Sequence, residues 1–216
     1  MKKRVVKNII FSFLIFFFVQ VSYAQKIKGA LNIGLNATQV DGDEVYGYHK
    51  FGWNIGPSAI IPFGKFSITL ENIFSQKGSY QKPLYRDLAY ANKDTGMYKL
   101  KLTYLEVPVL FSYTDKDLIT FGVGISWARL TGVDEWEHGK RVVTTTIQSG
   151  PYARNDWEAL LDLRLKVYKS LKFNFRYSYS MIKIRERIFK NGETRSQFNN
   201  VLTFRMMWIF NEKNKK

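Results

Sequence analysis

Two groups of side chains could carry chemistry, and they sit in different surroundings. Acid–base or nucleophilic catalysis needs a histidine or a paired-acid arrangement. The 216-residue chain has two histidines, His49 and His138, and no cysteine. His138 follows Asp134, Glu135 and Glu137, a set that reads either as a base with orienting acids or as a weak cation site. No nucleophilic serine is marked nearby, and charge in a surface loop is the ordinary explanation of such a run. No phosphate-binding glycine loop, zinc spacing or dinucleotide fingerprint is present. The expectation is a non-enzymatic protein with no cofactor and no metal.

The second group is Glu71, Glu106, Asp162, Arg164, Arg176 and Arg205. Each stands on the polar side of a stretch in which apolar and polar residues alternate. Such a period of two is what a β-strand produces, because successive side chains point to opposite faces. Strands must therefore position these charges, and eight are legible. The apolar faces are Ile27, Leu31, Ile33 and Leu35; then Phe51, Trp53, Ile55, Ala59 and Ile61; then Phe66, Ile68, Leu70 and Phe74; then Leu105, Val107, Val109, Phe111 and Tyr113. They continue as Ile119, Phe121, Val123, Ile125 and Trp127; Trp157, Ala159, Leu161, Leu163, Leu165 and Val167; Leu171, Phe173, Phe175, Tyr177 and Tyr179; and Leu202, Phe204, Met206, Trp208 and Phe210.

Short turns and long loops alternate between them. Pro62-Phe63-Gly64-Lys65, Thr114-Asp115-Lys116-Asp117 and Lys169-Ser170 are tight, whereas 38–48, 78–97, 131–153 and 185–197 are long. Each strand has roughly the 9–11 residues that cross a bilayer at a tilt, and the even count suits a closed barrel. The predicted fold is all-β, an eight-stranded antiparallel up-and-down transmembrane β-barrel. Pro57 and Pro108 fall inside strands, where a missing N–H predicts a bulge or a local gap in pairing.

The amino terminus sets the compartment. Lys2, Lys3, Arg4 and Lys7 precede an apolar run over 9–19, and Ser22-Tyr23-Ala24 forms a small-x-small cleavage site. Residues 1–24 are read as a cleaved signal peptide, 25–210 as the barrel and 211–216 as a short basic periplasmic tail. The apolar run is about half the roughly 20 residues of a spanning helix. The formal charge of +15 loses those four basic residues and remains strongly positive, which suits contact of the barrel rims with anionic lipid. Nucleic acid is not expected. The aromatic content of 16% suits interfacial girdles, and Phe210 resembles the terminal aromatic of barrel-insertion signals, with the tail after it. The location predicted is the cell outer membrane, crossed many times by a monomer.

A soluble barrel would also alternate, with its charged face in water. In hydrocarbon the charged face must turn inward, and the signal peptide and loop rhythm favour that choice. Counted from the short turns, Glu71, Glu106, Asp162, Arg164, Arg176 and Arg205 lie roughly four to eight residues up, in one layer. An eight-stranded lumen is just filled by side chains, and buried charges need partners. Glu71 and Glu106 are therefore expected to meet Arg176 and Arg205 across the lumen and plug it. A narrow pore is one alternative. Another is binding through the loops, where Tyr80, Tyr85, Tyr90, Trp136, Lys140 and Arg141 combine aromatic and basic groups suited to glycan, lipopolysaccharide or a partner protein.

Gly34-Leu35-Asn36, residues 47–52, Gln76-Lys77-Gly78-Ser79 and above all Tyr104-Leu105-Glu106-Val107-Pro108-Val109-Leu110 resemble the PorT-like outer-membrane β-barrel family of Bacteroidetes, over essentially the whole mature chain. The resemblance implies a porin-family barrel. Through the founding member it also implies an accessory role in type IX secretion or envelope assembly, with secretion or envelope proteins as partners.

Overall fold

A computed structural model describes residues 27–83, 96–148, 150–189 and 192–210. The strands are β1 (Lys28–Asp41), β2 (Lys50–Phe63), β3 (Phe66–Glu71), β4 (Ile73–Gln81), β5 (Tyr98–Asp115), β6 (Ile119–Glu137), β7 (Lys140–Arg141), β8 (Asn155–Tyr168), β9 (Leu171–Ser180), β10 (Arg185–Ile188) and β11 (Thr194–Ile209). β3 and β4 form one stave interrupted at Asn72, and β7 and β10 are hairpin extensions. Among the described residues the eight staves pair antiparallel with their neighbours, and β1 closes the ring on β11 from Ala30↔Ile209 to Asp41↔Phe198. The eight staves are thereby left without an open edge in the ring, which an open sheet in hydrocarbon could not achieve.

Burial follows the alternation with its polarity reversed from that of a soluble protein. On β8 Trp157, Leu161 and Leu165 are exposed, while Glu158, Asp162 and Arg164 are buried. On β1 Leu31, Ile33 and Leu35 face out and Asn32 and Asn36 face in. Exposed apolar side chains recur on seven of the eight staves, from Leu31 to Trp208, and the outward Phe173, Phe175, Tyr177 and Tyr179 of β9 are half-buried. A wall this apolar is matched to acyl chains rather than water.

The two prolines share one cause. Pairing of β2 with β3 stops at Ser58↔Glu71 and resumes with β4 at Ile55↔Phe74 in the same register. On the other side β3 leaves β5 at Leu70↔Val109, and β4 rejoins it at Ile73↔Glu106. Pro57 and Pro108 flank this gap from opposite sides, each lacking the N–H that would bridge it. The Asn72 N–H is satisfied by the Pro57 carbonyl at 3.0 Å. Gly56 is required here, since a Cβ on it would stand 1.9 Å from the Asn72 oxygen.

All four expected loops are partly strand, β1 reaching Asp41 and β4 reaching Gln81. β6 runs past Thr131 to Glu137, paired with β5 back to Tyr98, and 185–188 pair with 194–197 as β10 and β11. The register shift lies between Thr103 and Tyr104, where β6 carries Thr131 as an extra residue. That bulge flips the facing of β6, so period-two counting loses the strand there. Above it the polarity also inverts. Leu100, Leu102, Leu130 and Val133 point inward and pack with Val40, Tyr104 and Ile184, while Lys99, Lys101 and Asp134 point outward. This end of the barrel is built for water outside and an apolar centre. The short turns fall where expected, with Lys169-Ser170 joining β8 to β9.

Candidate functional site

The lumen holds two tiers of charge. In the tier nearer the short turns, Asp162 on β8 faces Arg176 on β9 as a direct cross-strand pair. Arg176 Nε donates to Asp162 at 2.8 Å, while its two terminal nitrogens donate to the Glu71 oxygens at 3.0 Å each. Arg205 Nη2 donates to the same carboxylate at 3.0 and 2.9 Å, its Nη1 to Asn54 at 3.1 Å and its Nε to Asn174. Arg164 Nε donates to Asp162 at 2.6 Å and its Nη1 to Thr69 at 3.2 Å. One guanidinium, Arg205, thus joins staves from both walls. Planar bidentate geometry is what lets arginine do this where lysine could not.

The second tier centres on Lys77 of β4. Its ammonium contacts Glu106 at 2.6 Å and donates to Glu158, and it lies 5.1 Å from the centre of the Tyr104 ring. Asp156 lies alongside, accepting from Ser180 at 2.7 Å and from Asn199 at 2.8 Å. The lower tier has three arginines and two carboxylates, and the upper has one lysine and three. The excesses have opposite sign, and all nine side chains are buried.

The expected single layer is therefore corrected. Glu71, Asp162, Arg164, Arg176 and Arg205 do come together, but Glu106 pairs with Lys77 one tier up, because it sits on β5 opposite Ile73, beyond the gap at Asn72. Lys77, Asp156 and Glu158 complete the network. The signal for Lys77 is the unbroken inward series Glu71, Ile73, Ser75, Lys77, Ser79, which continues past the presumed start of a loop at Gly78.

Each end of the lumen is covered. At the short-turn end Ala30, Ile60, Met207 and Ile209 form an apolar cluster beside a cavity of about 130 Å³ that reaches Arg164. At the other end the apolar cap carries its own ion pair, in which Glu135 accepts from Tyr98 at 2.8 Å, Thr145 at 2.5 Å and Arg185 at 2.8 Å. Above it a cavity of about 460 Å³ is lined by Asp43, Tyr98, Glu137, His138, Arg187 and Phe189.

Each acid near His138 is held by an arginine. Asp134 binds Arg141 at 2.7 Å, Glu135 binds Arg185, and Glu137 binds Arg187 at 2.6 Å. Among the described residues no acid or histidine cluster is arranged to hold a metal. The aromatic and basic residues assigned to loops lie on strands instead, Tyr80 on β4, Trp136 on β6, and Lys140 and Arg141 on β7. Tyr85 and Tyr90 lie outside the described residues, as do residues 1–24, expected to be a signal peptide, and residues 211–216.

Known proteins are similar to this chain. Neisserial surface protein A is similar, with a TM-score of 0.50 at 9% identity, over 83% of this chain and 96% of that one. OprG from Pseudomonas aeruginosa aligns at 0.42 and 10% identity over 86% and 97%. Ail of Yersinia pestis aligns at 0.42 and 8% over 83% and 98%. No curated protein matches in sequence. Residues 18–186 match the family described as outer membrane protein beta-barrel domain, which places the chain in the outer membrane; barrels of this kind have short periplasmic turns and longer extracellular loops. The chain belongs to the outer membrane protein beta-barrel domain family.

Proposed function

We propose that this is a closed, non-enzymatic outer-membrane barrel that works through its surfaces rather than as a channel, as an accessory of type IX secretion or envelope assembly. The observation that carries the closed reading is the Glu71–Arg176–Arg205 cluster, in which one carboxylate from β3 takes two guanidinium groups from the far wall at 2.9 to 3.0 Å. A water-filled path would have to run through these groups. The accessory role rests on the PorT-like phrases, of which 104–110 is the longest, and its partners would be secretion or envelope proteins. Fold alone does not assign a partner, so the role needs a direct test. Affinity capture of the tagged full chain from native outer membranes, with quantitative mass spectrometry, is expected to return secretion or envelope components at constant ratio. Recovery of the barrel alone contradicts it.

A further inference from the structure

A straight cross-strand row crosses the outer wall above the apolar belt. Tyr80 on β4 stands opposite Lys99 on β5, Lys99 opposite Trp136 on β6, and Trp136 opposite Arg141 on β7. Two residues nearer the membrane, Lys101 lies between Gly78 and Asp134. Gly78 has a φ of 134°, and a Cβ there would stand 2.1 Å from the Leu100 carbonyl oxygen, so the wall beside Lys101 must stay bare of a side chain.

A third lysine approaches Gly78 from β2. Thr38 Oγ1 lies 2.7 Å from the Gly78 carbonyl oxygen and 3.2 Å from that of Lys50, which makes Gly78 and Lys50 neighbours. Lys50 Nζ turns to the surface, donating to the Phe51 carbonyl at 2.6 Å, within electrostatic reach of both Lys99 and Lys101. Among the described residues neither Lys99 nor Lys101 has an ion-pair partner. Asp134, opposite Lys101, is held by Arg141 at 2.7 Å.

Directly below, on the same face, the exposed side chains turn apolar with Phe51, Trp53, Phe74 and Leu105. The lysines therefore stand where hydrocarbon gives way to headgroups. Three like charges gathered at that height repel one another unless an anion joins them. We propose that Lys50, Lys99 and Lys101 hold the phosphate of an outer-leaflet glycolipid against the wall beside Gly78, which carries no side chain, with Arg141 at its edge and Tyr80 and Trp136 against its sugar. The row is continuous with the lipid-facing wall, which favours a lipid over a soluble anion. The site stands whether or not the lumen is sealed or a secretion partner exists.

The test is native mass spectrometry of the full chain after exchange from nanodiscs containing lipid A or its dephosphorylated form, with heat-modifiable gel mobility confirming the fold. The wild type is expected to retain one lipid A and to hold the dephosphorylated form at least about tenfold more weakly. Lys99→Gln with Lys101→Gln should weaken retention about 30-fold, as two lysine contacts at a membrane surface imply. Lys116→Gln with Lys169→Gln, which removes the same charge at periplasmic turns, should leave it unchanged. Millimolar inorganic phosphate should not displace the lipid. Equal retention of both lipid forms, equal loss in both double variants, or displacement by free phosphate overturns the proposal.

Discussion

Arg205 and Glu71 are 134 residues apart in sequence, yet Arg205 Nη2 donates to both carboxylate oxygens of Glu71 across the lumen, at 3.0 and 2.9 Å. Glu71 also takes both terminal nitrogens of Arg176. Removing one partner of such a cluster strands buried charge. Glu71→Gln is expected to destabilise the barrel by about 3–5 kcal/mol, read as a fall in the urea midpoint for unfolding from lipid bilayers. A change below about 1 kcal/mol, the range of a surface pair, would show that the cluster is solvated.

The upper tier predicts an asymmetry between Lys77 and Glu106. Lys77 is the single cation among Glu106, Asp156 and Glu158, while Glu106 is one of two carboxylates in contact with it. Lys77→Met leaves three buried acids without their counter-charge, whereas Glu106→Gln leaves Glu158 in place. Measured by the same unfolding assay, Lys77→Met should cost more by at least about 1.5 kcal/mol. Equal costs would mean that the tier does not depend on Lys77.

Leu161 is 58% exposed on the outer face of β8. In water an exposed Leu→Arg change is nearly neutral, but at the depth of acyl chains it costs about 2–4 kcal/mol. Leu161→Arg should show the larger cost in bilayers. A neutral result would place this face in water.

Outside the membrane, Asp43 predicts a pH dependence. Burial pushes its carboxyl up to about 6, against the lowering effect of hydrogen bonds from Ser79 and the Val45 amide. The folded value exceeds the ordinary one of about 4, so folding favours the protonated form. The corresponding stabilisation is complete below about pH 4 and disappears as pH rises through about 6. Carboxyl ¹³C NMR should place the Asp43 midpoint near pH 6, and Asp43→Asn should abolish that part of the pH dependence of the loop. A midpoint near 4 contradicts the burial seen here.

Where one face meets lipid and the other a packed polar lumen, the sequence was legible. Leu171 through Tyr179 alternates without a break, and Lys169-Ser170 leaves room only for a two-residue turn. Legibility ended where that contrast ended. Above Thr103 the outside is aqueous and Leu100 and Leu102 turn inward, so the rule that apolar means outward reverses, and the extra residue Thr131 shifts the count on β6. The lower tier was recovered because Glu71, Asp162, Arg164, Arg176 and Arg205 share one height above the turns. Glu106 was placed with it because strand counting does not register the gap at Asn72, which lies between Glu71 on β3 and the stretch of β4 opposite Glu106. The lysine row was hidden for another reason: Tyr80, Lys99, Trp136 and Arg141 come from four segments, and only their register aligns them.

The central claim is that the two ionic tiers seal the lumen, and planar-bilayer recording of the purified wild-type protein tests it most directly. The account predicts a baseline indistinguishable from protein-free bilayers under symmetrical molar salt, with ion steps emerging only when Glu71, Arg176 and Arg205 are all replaced by alanine. Stable unitary conductance from the wild type would contradict it.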